Sequence, residues 1–376
     1  MKTGILLPSL IKKMVVHLAC IQMKKTGIEL TGVKEIARRA NVSIGTVDRV
    51  IHNRKGVSEE TKKKINAIIE EMDFRPNKMA SLLASRKILN FAILIPAVSD
   101  ETDYWSYPLN GIKQAAEEIR QFGVTVNYHF YDLNSKSSFH TVAEEMLQNE
   151  PDAILMAPSF VEESIIFAQK IRELELPLVF INSDLPDQPS LSYIGPELYQ
   201  SGKLAAQLIS FAIQKQDKIL TLNISTDLEN NHHLLRKEQG FKIFFESSGK
   251  LNEVITLNIN DTKLAAAEKA LLPVLEAEPA IKAIFVTNSR VNLIAEILAQ
   301  HKRTDILLVG YDFLKKSIDH LITGQITFLI CQRPKEQGYL GVMALYKHLF
   351  KIGEVEKSTY MPIDIITKEN YLFYNG

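Results

Sequence analysis

Apolar residues recur along this chain in two rhythms, and the change from one to the other falls near residue 90. In VKEIARRANVSIGTVDRVIHN (33–53), Val33, Ile36, Ala37 and Ala40 keep the i, i+3, i+4, i+7 spacing of a helix with one inward face. A second helical pattern runs through Val47, Val50 and Ile51, and only Ala40-Asn41-Val42 separates the two. So short a link makes the second helix cross the first steeply, burying Ala37, Val42 and Val47 between them. The other face of the second helix offers Ser43, Thr46, Arg49 and Asn53. The pattern fits a helix-turn-helix, whose second helix can lie in the DNA major groove, and it also fits an ordinary helical hairpin. A third helix is expected after Ser58, which is placed to cap it, with Glu59 and Glu60 in the first turn. Ile65, Ile68, Ile69 and Met72 form its apolar face. It stops near Phe74-Arg75-Pro76-Asn77, because the residue before a proline is pushed out of helical geometry.

From Asn90 onward the rhythm becomes one of short continuous apolar runs alternating with amphipathic helices. FAILIPAV (91–98) reads as a strand buried on both faces of a parallel sheet. Helix 111–123, strand 124–132, helix 137–149, strand 152–158, helix 162–174 and strand 176–182 follow. The cycle then restarts with helix 198–215, strand 218–225, helix 233–248, strand 252–259, helix 262–277, strand 281–288, helix 290–300 and strand 305–312. Short βα connections predict right-handed, doubly wound parallel sheets, and two cycles predict two α/β lobes. Residues 327–376 are too few for a further domain. In a bilobed α/β architecture a ligand sits between the lobes, at the carboxyl ends of the strands.

A length of 376 residues suits two to three domains, and 46% apolar with 23% charged residues describes a globular chain with ample core. The formal net charge of zero conceals an asymmetry. From Lys24 to Lys87 there are 15 Lys and Arg against 8 Asp and Glu, a surplus of seven that coincides with the helical region. Residues 1–23 add three Lys and no acid, so the remainder carries a deficit of ten. A basic end on an acidic body suits a protein that meets DNA at one end. Cys20 and Cys331 form no CxxC pattern, which excludes the usual zinc and redox motifs and suits a reducing cytoplasm. Residues 1–28 mix Lys with two apolar runs too short to span a bilayer; they read as a poorly ordered extension, with Met23 an alternative start. GxSxG, P-loop and HExxH motifs are absent, and no pair of carboxylates stands out for acid–base work. His232-His233 reads as a solvated helix start rather than a metal site, and neither metal nor cofactor is expected.

The elements VKEIARRANVS, TVDRVI, VSEETKKKI and FRPNKMASLLASRK resemble, in order and spacing, the DNA-binding headpiece of the lactose-repressor (LacI-type) family of bacterial transcription regulators. The body resembles the type I periplasmic sugar-binding fold, the effector domain of the same family. The expected organisation is an extension (1–28), a helix-turn-helix domain (29–75), a hinge (76–89) and a bilobed effector domain (90–376). Lobe 1 is expected over 90–194 plus 328–352, and lobe 2 over 195–327 plus 353–376. The resemblance implies that Ser43, Ile44, Gly45 and Thr46 begin the recognition helix, with Arg49 one turn on. Arg49 suits bidentate hydrogen bonding to guanine, while Ser43 and Thr46 suit phosphates. His52, Asn53 and Arg54 are expected at the DNA backbone. Gly45 departs from the family by offering no side chain, and Asp48 replaces a common Ser, where it is expected to brace Arg49. In the hinge the resemblance places Leu83 as a minor-groove wedge and Ala80 against the partner's hinge. For the effector it implies the aromatic residues Tyr104 and Trp105, together with Asn288, Asp312 and Gln332, the last near a third lobe crossing. Relatives carry an Arg three residues before a Gly-aromatic pair; here Lys237 holds that position before Gly240-Phe241, with Arg236 one residue off. Glu197-Leu198 stands where relatives show Asp-Asn.

The expected function is therefore a cytoplasmic, homodimeric regulator that binds a near-palindromic duplex operator under the control of a small carbohydrate effector, with repression the commoner mode. The alternatives are a solute-binding receptor without a DNA role and an enzyme on the same bilobed scaffold.

Overall fold

The computed structural model describes residues 29–51, 53–72, 74, 88–99, 103–185, 187–226 and 231–374. The chain forms two compact units, Met1–Ser85 and Arg86–Gly376.

In the first unit three helices enclose a small core: α1 (Glu29–Ala40), α2 (Ile44–Ile51) and α3 (Glu59–Glu71). Ile36, Ala37, Ala40, Val47 and Ile65 are buried together, with Val42, Ile68, Ile69 and Met72 packed around them. The turn between α1 and α2 is made by Asn41, whose φ of 57° is left-handed. The Asn41 amide donates to the Arg38 carbonyl and the Val42 amide to that of Ala37, a Schellman closure that asparagine tolerates at little cost. At the start of α3, Ser58 accepts from the Thr61 amide as the sequence leads one to expect. Arg39 reaches from α1 to Glu71 on α3, at 3.0 Å.

The second unit contains two six-stranded sheets. The first carries β1 (Leu89–Pro96), β2 (Val124–Tyr131), β3 (Ala153–Met156), β4 (Leu178–Ile181) and β5 (Ser192–Gly195), with α4 (Ser106–Arg120), α5 (Lys136–Gln148) and α6 (Val161–Glu173) between them. The chain crosses through α7 (Leu198–Ser210) into the second sheet. There β6 (Lys218–Ile224), α8 (His232–Ser247), β7 (Val254–Ile259), α9 (Leu264–Ala277), β8 (Ile281–Val286), α10 (Val291–Gln300), β9 (Leu307–Tyr311), α11 (Lys315–Ile322) and β10 (Phe328–Cys331) follow. It returns to the first lobe with α12 (Pro334–Phe350) and β11 (Ser358–Tyr360), then ends in the second with β12 (Asp364–Ile366). The strand orders are β11-β5-β4-β3-β1-β2 and β12-β10-β9-β8-β6-β7. Among the described residues every pairing is parallel except β10 with β12.

Two assignments therefore differ from the lobe boundaries read from sequence. Strand 328–331 belongs to the second sheet and strand 358–360 to the first. The physical reason is that β10 pairs between β9 and β12 inside the second sheet while β11 adds to β5 at the edge of the first, so the chain crosses only after Cys331 and again after Tyr360. Gln332 consequently lies at the second of three crossings.

Each lobe has a helix pair in backbone contact. A Cβ on Gly111 would fall 1.8 Å from the Lys335 carbonyl oxygen, which pins α4 to α12. A Cβ on Gly202 would fall 1.9 Å from the Lys237 carbonyl oxygen, which pins α7 to α8. The core of the second lobe stacks Phe241 on Phe285 at 4.5 Å, with Tyr311 beside them.

Candidate functional site

In the first unit, Ser43 caps α2: its hydroxyl oxygen accepts from the Thr46 amide at 3.1 Å and lies 2.9 Å from the Thr46 hydroxyl. The two hydroxyls expected at phosphates thus serve first to begin the helix. Ile44 and Gly45 stand exposed on its first turn, and a Cβ on Gly45 would meet nothing closer than 3.8 Å. Arg49 is exposed, one turn further along the same helix. Asp48, expected to brace Arg49, accepts from the Arg54 guanidinium at 3.2 Å. Both members are well exposed, which limits such a pair to about 0–1 kcal/mol. Asn53, with φ 50°, closes the C-terminal end of α2 in the same way that Asn41 closes α1. His52, Ala80 and Leu83 lie outside the described residues.

In the second unit a cavity of about 70 Å³ opens between the lobes at the carboxyl ends of the strands. Tyr104, Trp105, Lys237, Asn288, Asp312 and Gln332, all expected from sequence, line it. Arg236, also expected, does not: its guanidinium lies 5.5 Å from the Tyr199 ring centroid and donates to Gln239. The guanidinium that does line the cavity belongs to Arg290, which is 8% exposed. Asn182, Asn134, Ser225 and His233 join it. Asn182 and Arg290 are not among the residues expected from sequence, though both sit within a few residues of a strand's carboxyl end.

The local geometry explains how these groups are held. Tyr104 donates to the Asn182 side-chain oxygen at 2.7 Å, and its ring meets Trp105 edge-on at 5.2 Å. The Asn288 amide donates to the Ile224 carbonyl at 2.7 Å, and its oxygen accepts from the Arg290 backbone amide. Asp312 has left-handed backbone at φ 70° and accepts from Gln332 at 3.3 Å. Burial pushes its carboxyl up to about 6, against the pull of Lys237 and Gln332. Lys237, 4% exposed, rests its ammonium 3.7 Å from the Tyr311 ring centroid; burial pushes it down to about 8, with Asp312 opposing. His233 is pushed down to about 3, first by burial and then by the positive charges of Lys237, His232 and Arg290. It stays neutral near pH 7 and lines the cavity; the helix does start at His232, as expected from sequence, with both histidines half-buried rather than fully solvated. Contacts already bridge the lobes: Tyr107 donates to the Phe313 carbonyl at 3.2 Å and Thr226 to Asn134 at 3.1 Å.

A model of the lacI family of bacterial regulatory proteins matches residues 32–77, and one of the periplasmic binding protein domain matches residues 91–353. The chain belongs to the LacI family. Among related regulators, catabolite control protein A of Staphylococcus epidermidis is 23% identical over 264 residues, 65% of this chain and 76% of that protein. The HTH-type transcriptional regulator RegA of Clostridium acetobutylicum is 31% identical over 154 residues, 40% of this chain and 43% of that protein. A crystal structure of a candidate LacI transcriptional regulator from Bacteroides fragilis superposes with a TM-score of 0.71 at 29% identity, over 77% of this chain and all of that one. The glucose-galactose binding protein GanP of Geobacillus stearothermophilus gives 0.68 at 20% identity over 76% and 99% of the two chains, a likeness of fold.

As a LacI-family transcriptional regulator, the protein joins a DNA-binding helix-turn-helix to a bilobed domain built to enclose a small effector. The relatives are regulators of transcription rather than enzymes. Among the described residues no helix is long and apolar enough to cross a membrane.

Proposed function

We propose that this regulator works in the cytoplasm as a homodimeric repressor, binding a near-palindromic operator with two helix-turn-helix units and answering to a sugar held between its lobes. The observation that carries the reading is the pairing, in one chain, of an exposed recognition helix with a cleft where polar side chains from two lobes converge. A twofold dimer suits twofold DNA. Arg49 offers a fork for guanine, and Ser43 and Thr46 keep hydroxyl capacity for phosphates once the helix is capped. Asp312, Asn288, Asn182 and Gln332 supply the acceptors and donors that hydroxyl groups need, beside the rings of Tyr104 and Trp105. A cavity of about 70 Å³ is well under the roughly 300 Å³ at which ligand pockets begin. A sugar therefore enters by parting the lobes, and the resulting change in their placement is the lever on operator affinity.

The coupling is reciprocal, because each ligand must alter the other's affinity by the same factor. Fluorescence anisotropy of a labelled operator, titrated with the full chain in the presence and absence of a sugar, tests it. Operator affinity should shift several-fold with the effector. Operator binding that ignores every sugar that itself binds the protein would sink the coupling.

A further inference from the structure

The cleft contains a buried cation that has no hydrogen-bonded counter-charge among the described residues, Asp312 acting on it only through space. Lys237 is 4% exposed, and its ammonium makes neither a hydrogen bond nor an ion pair with any described residue. The ammonium rests on the face of Tyr311, 3.7 Å from the ring centroid. A cation–π contact recovers part of the cost of dehydrating an ammonium, but it satisfies none of the three N–H donors. A buried charge without a hydrogen-bonded counter-charge is expensive, and such groups persist where a partner arrives from outside.

The surroundings sharpen that requirement. Among the described cavity-lining residues, Lys237 and Arg290 are cations and Asp312 is the single carboxylate. Asp312 already accepts from Gln332, and the side-chain oxygen of Gln332 has no partner of its own. Asp312 and Gln332 thus offer acceptors suited to hydroxyl donors, while Lys237 offers donors and charge suited to an anion. The lysine is also held firmly in place. Its backbone carbonyl is the atom against which α7 packs through Gly202, so the base of the side chain has little freedom to withdraw.

We propose that the effector is an acidic sugar, a polyhydroxylated ring or chain bearing one carboxylate, and that Lys237 is the residue that selects the carboxylate. The proposal rests on reading this cleft as the effector site. The carboxylate accepts charge-assisted hydrogen bonds from the ammonium, and the hydroxyls donate to Asp312 and Gln332. A neutral sugar would fill the same hydroxyl sites and leave the lysine charge without a counter-ion.

Matched pairs that differ at one carbon isolate the effect. Isothermal calorimetry on the full chain would compare D-glucuronate with D-glucose and D-galacturonate with D-galactose, at fixed ionic strength. In at least one pair the acid should bind about tenfold more tightly or better, the scale of one hydrogen bond to a charged group. Lys237→Met should erase that advantage, whereas Lys237→Arg should keep most of it. Melting curves for both variants report whether the fold is intact, and the wild-type comparison stands without them. Hexoses that bind as tightly as their acids in both pairs overturn the proposal while leaving the sugar-effector reading in place. An acid advantage that survives in Lys237→Met removes Lys237 from the role. No binding by any of the four overturns the acidic-sugar proposal, and the operator titration with other sugars then decides the wider reading separately.

Discussion

Asp312 combines a left-handed backbone, burial at 6% exposure and a carboxyl pushed up to about 6 by its surroundings. Each condition costs stability, and residues kept at such cost cluster where ligands bind. The cost has a pH signature. The folded-state value lies above the ordinary 3.8, so the stability linked to this group is complete below 3.8 and is lost as pH rises through about 6. An asparagine side chain at this position would be neutral throughout. Asp312→Asn should therefore match the wild type below about pH 4 and exceed it near pH 7, by no more than ~3 kcal/mol at about 1.4 kcal/mol per unit. The same variant should bind the effector more weakly. Urea unfolding at the two pH values checks the first part, and a variant less stable than wild type at pH 7 would contradict it. On the DNA side, Arg49→Ala should cost about 1–3 kcal/mol against the preferred operator and much less against unrelated duplex. Equal losses on both duplexes would show Arg49 to be a phosphate contact.

At the scale of elements, two glycines with opposite surroundings make a controlled comparison. Gly202 has the Lys237 carbonyl 1.9 Å from where a Cβ would sit, whereas Gly45 has open space around it. Gly202→Ala should force α7 and α8 apart, costing about 1–3 kcal/mol and weakening effector binding by moving Lys237. Gly45→Ala should be neutral or stabilise α2 by up to about 1 kcal/mol, since alanine loses less backbone entropy in a helix. Thermal melts of both variants with effector titration read the contrast; equal effects would mean that the helix contact does not position the lysine. The same scale shows what can be read from sequence. Apart from β5, the helices and strands from β1 to β9 follow strong periodicity, and their ends fall within about five residues of expectation. The strands Ser192–Gly195, Phe328–Cys331, Ser358–Tyr360 and Asp364–Ile366 and the helix Lys315–Ile322 do not stand out individually, because such short segments carry too few positions to set a period, while the 17-residue α12 is buried at positions as different as Gln337, Gly341 and Leu345 and so shows no clean apolar stripe. Periodicity also cannot say which sheet a strand joins, which is why residues 328–331 and 358–360 exchange lobes between expectation and structure. In the cleft, residues at strand ends are legible from topology. Arg290 is not, because its inward direction is set by the turn between β8 and α10. Spacing favours Lys237, which does line the cavity, whereas Arg236, one residue off that spacing, is turned by its helix toward Tyr199.

At the scale of the whole molecule, the charge asymmetry and the two family matches divide the labour along the chain. Residues 32–77 carry the lacI match and residues 91–353 the periplasmic-binding-protein match. The surplus of seven positive charges falls between Lys24 and Lys87. Phosphate contacts from that end make affinity steeply dependent on salt, while base contacts make it depend on sequence. The measurement that tests the account most directly is selection of bound sequences from random duplex DNA by the full chain at a stated salt concentration, with sequencing of the recovered pool. The account predicts a near-palindromic motif with two equivalent half-sites, whose recovery changes when effector is added. Salt-sensitive binding with no enriched motif, with and without effector, would contradict it.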